Sequence, residues 1–306
     1  MIQEVFFDKI NSNMNLKSFL NQRKLYLSIA VILMLKVTVV AAKSELRVCA
    51  EPDNLPFSNQ KQEGFENKIA ALLADDLNAK LSYTWEKQRQ GFIRSTLGAN
   101  RCDVVMGVPY GFERVLTTSP YYRSGYVFVT AKDRHITIKS FDDPVLRTLK
   151  IGLHAIGNDG SNSPPAHALA HRGVVENIVG YSMWGDSSVT NPQGQIVDAV
   201  VNGEIDVAIV WGPIGGYFAK KYGEQLIVIP TPSDAEMPTQ IFAFDIAIGV
   251  RKGEEAFAAK LEKSLERKRS QIQEILATYN VPLIKPLSGP APSESNADRA
   301  THQNQN

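Results

Sequence analysis

The chain has 306 residues, of which 43% are hydrophobic and 21% charged, with a formal net charge of +1. That length allows two modest lobes, each with its own core. The near-neutral balance, without a Lys/Arg block or a repeat of stacking aromatics, excludes a nucleic-acid or anionic-membrane surface. Its five histidines and two cysteines show no metal-ligand spacing, so no metal site and no cofactor is expected.

In chain order, residues 25–40 come first, an apolar run broken only at Lys36. Lys17, Arg23 and Lys24 precede it, and the small residues Ala41 and Ala42 follow. The run is short and poorly flanked for a spanning helix and has the form of a secretory signal, so residues 1–42 are read as a signal peptide. Cleavage is expected after Ala42, with Val40 and Ala42 in the small-residue positions. The long charged leader makes Met14 an alternative start, and an uncleaved anchor is the competing reading. Export leaves no stable membrane insertion.

Residues 46–50 then read as a buried strand. Phe65, Ile69, Leu72, Leu73 and Leu77 recur at helical spacing and predict a helix over 65–78. A strand over 81–85, a helix over 90–99 and a strand over 102–106 complete a β-α-β-α-β unit with a parallel sheet. Residues 126–131 predict a strand leading out of this first lobe. A second unit alternates over strand 150–154, helix 165–172, strand 177–181, helix 193–202, strand 205–211, helix 217–222 and strand 225–229. Pro230, Pro232 and Pro238 suit a crossing segment, and a strand over 242–250 returns to the first lobe. One amphipathic helix is expected over 254–279. The domain reading is lobe 1 over 44–132, lobe 2 over 133–237, a return with the C-terminal helix over 238–285, and a disordered polar tail over 286–306. The fold class is α/β and two-lobed, with the cleft between the lobes as the default site.

Chemistry concentrates in residues 102–122, CDVVMGVPYGFERVLTTSPYY. An apolar strand stops at Gly107 and Pro109, a turn carries Tyr110, Glu113 and Arg114 follow, and a Thr-Thr-Ser-Pro-Tyr-Tyr corner closes the segment. Buried strands end so when they deliver polar groups to a cleft at the carboxyl edge of a sheet. The segment resembles the ligand corner of the type II periplasmic solute-binding proteins, the family 3 extracellular group. In these an arginine after the third strand clamps a ligand carboxylate. Residues 46–58, LRVCAEPDNLPFS, resemble the family's first strand and its cleft-lining Asp-x-x-Pro-Phe loop. GFENKIAALLA, YTWEKQRQGFIRSTL and TTSPYYRSGYVFV are similar to one branch, the quinoprotein-dehydrogenase-associated proteins that include the J protein of methanol oxidation systems. The resemblance covers about 46–282.

The resemblance implies a periplasmic protein linked to a pyrroloquinoline-quinone (PQQ)-dependent alcohol (methanol) dehydrogenase, acting in its maturation or activation. It leaves a small-molecule ligand in the cleft open. In that fold the strands carrying Cys49 and Cys102 are parallel neighbours. A disulfide stabilising by about 4 kcal/mol is one expectation, and two buried free thiols the other.

Mapped onto this sequence, the cleft set is Asp53, Phe57, Trp85, Pro109, Tyr110, Arg114, Tyr121, His154, Asn158 and Trp211. Each has a plainer alternative: an ion pair with Glu113 for Arg114, turn chemistry for Asp53, lobe packing for the tryptophans, Trp184 among them. Amino-acid receptors of this fold follow the strand over 206–210 with an aspartate for the ligand ammonium; here Trp211, Gly212 and Pro213 stand there. A zwitterion would lose a charge-assisted hydrogen bond of about 1.5–3 kcal/mol. No nucleophile elbow, metalloprotease helix or phosphate loop occurs, so no catalysis is expected. An ABC-transporter receptor for a small anion is the second reading. A lyase using Glu51, Asp53 or Glu113 is the third.

Overall fold

The computed structural model describes residues 44–155, 163–183, 191–234 and 236–285. The predicted leader, Asn158, Trp184 and the predicted tail lie outside the described residues.

In the first half, β1 (Ser44–Ala50), α1 (Phe65–Asp76), β2 (Ala79–Trp85), the one-turn α2 (Phe92–Ser95) and β3 (Val104–Pro109) are followed by the long β4 (Tyr122–Ala131). Then come β5 (Ile151–Ala155), α3 (Pro164–His171), β6 (Ile178–Ser182), α4 (Gln195–Val201), β7 (Val207–Trp211), α5 (Gly212–Lys220) and β8 (Leu226–Pro230). The chain returns through β9 (Ala243–Val250) and ends in α6 (Glu255–Arg267) and α7 (Arg269–Thr278).

The strands form one mixed sheet in the order β2-β1-β3-β9-β4-β7-β5-β6, with β8 also on β4. Each lobe repeats a pattern: β2-β1-β3 and β6-β5-β7 are parallel, and an antiparallel strand follows in each. This is the α/β periplasmic-binding-protein architecture anticipated from the sequence. The lobes meet inside β4. Residues 122–125 pair with β9 in the first lobe, and residues 126–131 pair with β7 and β8 in the second. The strand therefore starts four residues before the predicted Tyr126, because Tyr122 and Ser124 are already buried in the first-lobe sheet.

Alternation along β1 and β3 builds two apolar layers on the first-lobe sheet. Leu46, Val48, Val104 and Met106 face Phe65, Ile69 and Leu73 of α1 and Leu261, Leu265, Ile272 and Leu276 of the C-terminal helices. On the other face Cys49 and Val105 pack with Phe92, Leu97, Val108 and Val115. Cys49 and Cys102 are disulfide-bonded there, with their Cα atoms 5.5 Å apart.

Three further expectations are corrected. The helix predicted over 90–99 shrinks to one turn. Gly91 is left-handed (φ 89°), and the hydroxyls of Ser95 and Thr96 donate back to Phe92 O at 3.2 and 2.6 Å, competing with helix propagation. The helix predicted over 254–279 breaks at Lys268 (φ −99°, ψ 7°), which re-aims Ile272 and Leu276 into the core. The helix predicted from Tyr217 begins at Gly212, with Pro213 in its first turn, where a missing N–H is harmless.

Candidate functional site

The carboxyl ends of β1, β2 and β3 form one rim of the first lobe. Gln88 N donates to the Glu51 carboxylate and Glu86 N to Ala50 O, so the loop after β2 folds over the end of β1. Glu51 is buried, and desolvation raises its pKa. Trp85 stacks on Tyr83 with ring centroids 4.5 Å apart and packs on the lobe's core. Pro109, Tyr110 and Arg114 are exposed, and Arg114 makes no hydrogen bond or ion pair among the described residues, with Glu113 or otherwise. Asp53 is exposed in a short two-residue ladder, opposite Asn59.

Beneath the rim lies an acid that the sequence reading passed over. Glu66, in the first turn of α1, is fully buried, and burial raises its pKa to about 8. It lies against Gly107, which is left-handed (φ 71°) and where any Cβ would collide with the carboxyl group. Burial, with Glu66 beside it, also lifts the pKa of Tyr121 well above its ordinary value, against a weaker lowering pull from the Gly107 backbone. Tyr121 and Tyr122 pack edge to face at 5.0 Å.

The loop after β1 bridges the two lobes. The loop after β1 sends Leu55 into the second-lobe core among Val127, Ile196 and Ile214. Asn54 accepts a hydrogen bond from the Gln193 side chain, and both groups are buried. Phe57 and Trp211 touch the apolar cores of both lobes. Trp211 ends β7 opposite Tyr126, where β4 changes lobes, with ring centroids 5.5 Å from Tyr126 and 5.9 Å from Phe244. His154 near the end of β5 is 7% exposed; burial lowers its pKa to about 4, partly offset by a hydrogen bond to the Gln193 backbone, and its Nε2 has no partner among the described residues. Of the predicted cleft set, Phe57, His154 and Trp211 thus gather at the lobe contact. Asp53, Pro109, Tyr110 and Arg114 stand on the rim, and Trp85 and Tyr121 pack within the first lobe.

A second tie joins the lobes at the C-terminus. Lys220 Nζ donates to Thr278 O at 2.7 Å and Asn280 Nδ2 to Gly216 O at 3.0 Å. Tyr217 of α5 stacks on Tyr279 at 5.7 Å, and Tyr279 also meets Phe65 at 5.9 Å. Only glycine fits at 216, because a Cβ there would overlap the Asn280 carbonyl. Gln193 and Asn280 are neutral and belong to no motif, and Asn54 and Leu55 are the unspecified positions of the Asp-x-x-Pro-Phe loop, so nothing local singled them out. Among the described residues no group of His, Cys, Asp and Glu could hold a metal ion, and no helix is long and apolar enough to cross a membrane.

The model of the bacterial extracellular solute-binding proteins, family 3, matches residues 46–281. The protein MoxJ of Methylorubrum extorquens is 33% identical over 253 residues, 78% of this chain and 81% of the relative. The crystal structure of the periplasmic binding protein XoxJ from Methylobacterium extorquens is 35% identical, with a TM-score of 0.64, over 78% of this chain and 99% of that one. That of MxaJ from Methlophaga aminisulfidivorans is 28% identical, with a TM-score of 0.66, over 78% and 100%.

Proposed function

Because the chain belongs to the bacterial extracellular solute-binding proteins, family 3, in the branch that holds MoxJ, we propose that it is a periplasmic accessory protein of a PQQ-dependent alcohol (methanol) dehydrogenase. It works by protein–protein recognition in the maturation or activation of that enzyme and is not itself catalytic. The supporting observation is the contact between the lobes at the mouth of the expected cleft. A receptor for a small solute keeps that cleft free for its ligand. Here Leu55 is seated in the opposite lobe's core and Asn54 is bonded to Gln193. Trp211 stands where an amino-acid receptor needs a carboxylate, so an ammonium ligand would be desolvated without a counter-charge.

The test is binding of the secreted chain to purified quinoprotein alcohol dehydrogenase, with and without its cofactor, on a sensor surface. Saturable binding that differs between the two forms is expected. Absence of binding at tens of micromolar, a range typical of weak encounters, overturns the proposal. It moves the reading to a transporter receptor for a small anion, which the unpaired Arg114 favours. In that case Arg114→Ala abolishes ligand capture, whereas an accessory protein has no such ligand to lose.

A further inference from the structure

Twelve arginines lie among the described residues, and eight of them use their side chains inside the fold. The four without a side-chain hydrogen bond or ion pair are Arg89, Arg94, Arg114 and Arg269. Three of these four fall in the two segments that follow β2 and β3 on the first-lobe rim, Arg94 in the one-turn α2. Arg89 and Arg94 follow β2, where Lys87 is a fourth exposed cation, and Arg114 follows β3. An isolated free arginine is ordinary surface. Three sharing one support are not explained by the fold, which pairs nearly all the others.

That support is the small apolar core around the Cys49–Cys102 disulfide. Phe92 and Ile93, next to Arg94, and Phe112 and Val115, flanking Arg114, all pack into it. The loop after β3 is further fixed by hydrogen bonds from Phe112 N to Pro109 O and from Val115 N to Phe112 O, at 3.1 and 3.2 Å. The Arg94 guanidinium lies near Gly91, on the Arg89 side of α2. Tyr110, 47% exposed, stands on the same rim as Arg114. Unpaired arginines on a packed backbone, beside an exposed tyrosine, are the composition of a recognition surface.

We infer that this disulfide-supported rim is the docking surface for an acidic segment of a protein partner, with Arg89, Arg94 and Arg114 as its charge contacts. The inference rests on the accessory reading above and names the face that reading lacks. A protein partner fits better than a lipid surface or a nucleic acid. The exposed acids Asp53 and Glu113 interrupt the cations, whereas a polyanion wants an unbroken run of about four to eight. Charge pairs of this kind act chiefly on the rate and specificity of encounter.

The experiment compares the secreted chain with the triple charge reversal R89E/R94E/R114E, its neutral counterpart with glutamine at the three positions, and R269E as a control for free arginine elsewhere. Melting temperatures establish that the variants are folded. Each is presented to the dehydrogenase, to a synthetic Glu/Tyr peptide and to phosphatidylglycerol vesicles at low and high salt. The triple reversal is expected to weaken dehydrogenase binding at least about tenfold at low salt, with R269E within about twofold. Wild-type binding is expected to weaken with salt while that of the reversed variant does not. If wild type and triple reversal bind the dehydrogenase equally, this inference is overturned and the accessory role stands. If no form binds the dehydrogenase, the accessory role falls and the peptide decides the surface. Reversal-sensitive peptide binding upholds an acidic protein partner of another identity, and no peptide binding overturns it. Binding to vesicles but not to peptide overturns a protein partner as well.

Discussion

His154 near the end of β5 and Glu66 at the start of α1 are both buried, and burial moves their pKa values to about 4 and about 8. Unfolded, the imidazole titrates near 6.5 and the carboxyl near 4.3. For His154 the folded value is depressed. Between about 4 and 6.5 only the unfolded chain takes the proton, so stability falls as pH drops through that window, by up to about 3 kcal/mol. For Glu66 the folded value is raised. Its stabilisation is complete below the unfolded value and is lost as pH climbs towards 8, by about 3–5 kcal/mol. The two slopes oppose each other between the windows' overlap limits, leaving a plateau that ends above about pH 6.5. Chemical denaturation at stepped pH checks both. Glu66→Gln should exceed wild type increasingly from pH 5 to 8, and His154→Gln should uncover the Glu66 slope, gaining on wild type as pH falls from about 6.5 to about 4. Parallel curves for wild type and either variant would refute the corresponding assignment. Arg172 supplies a third case. It grips Asp234 with two bonds of 2.8 and 2.7 Å, and both side chains are nearly inaccessible. Arg172→Ala leaves a buried carboxylate unpaired and should cost about 3–5 kcal/mol in urea unfolding. A loss below about 1 kcal/mol, the range of exposed pairs, would mean that Asp234 is rescued by its bonds from the Glu236 and Met237 amides.

At the scale of elements, the disulfide ties β1 to Cys102, two residues before β3, across a separation of 53 residues. Closing a loop of that length restricts the unfolded chain by about 4 kcal/mol in the entropy model. The Cys49→Ala/Cys102→Ala double variant should lose about that much in urea unfolding, since both sulfurs also pack in the mini-core. A loss within experimental error would show that the packing around Phe92 and Val115 suffices without the bridge. The sequence made these strands legible because their apolar alternation is strong and a parallel β-α-β unit leaves few topologies. It misjudged elements whose ends depend on tertiary partners. The start of β4 is set by β9, more than a hundred residues later in the chain. The break at Lys268 is set by which faces of α6 and α7 meet Leu73 and Phe65, a contact that no local pattern encodes. The short α2 was foreshadowed by Gly91, Ser95 and Thr96, whose helix-weakening chemistry was outweighed in the reading by Phe92, Ile93 and Leu97.

For the whole molecule, aromatic residues at strand ends were read as a lobe-edge set, and Trp211 packs on both cores while His154 lies by Gln193. What escaped was the neutral bridge: Leu55 reads as any loop leucine until the opposite lobe is present to receive it. This bridge has a mechanical consequence. A two-lobed protein opens about its crossing strands when the lobes share few contacts. Here they share Leu55 in an apolar core, the Asn54–Gln193 bond, and the stack of Tyr217 on Tyr279 braced by Lys220 and Asn280. Opening must expose Leu55 and strip two buried amides of their partners, a combined cost of several kcal/mol. The free protein is therefore expected to scatter X-rays as a closed particle, unchanged by amino acids or small carboxylates. The pair Leu55→Ala and Gln193→Ala should remove the first tie, lowering stability by about 2–4 kcal/mol for the leucine alone and increasing the radius of gyration. Tyr279→Ala added to that pair should increase it again, because it removes the aromatic stack from the second tie. A wild type that already scatters as an open particle, or one that closes on adding a small solute, would contradict the latch. It would return the cleft to the role of a ligand site.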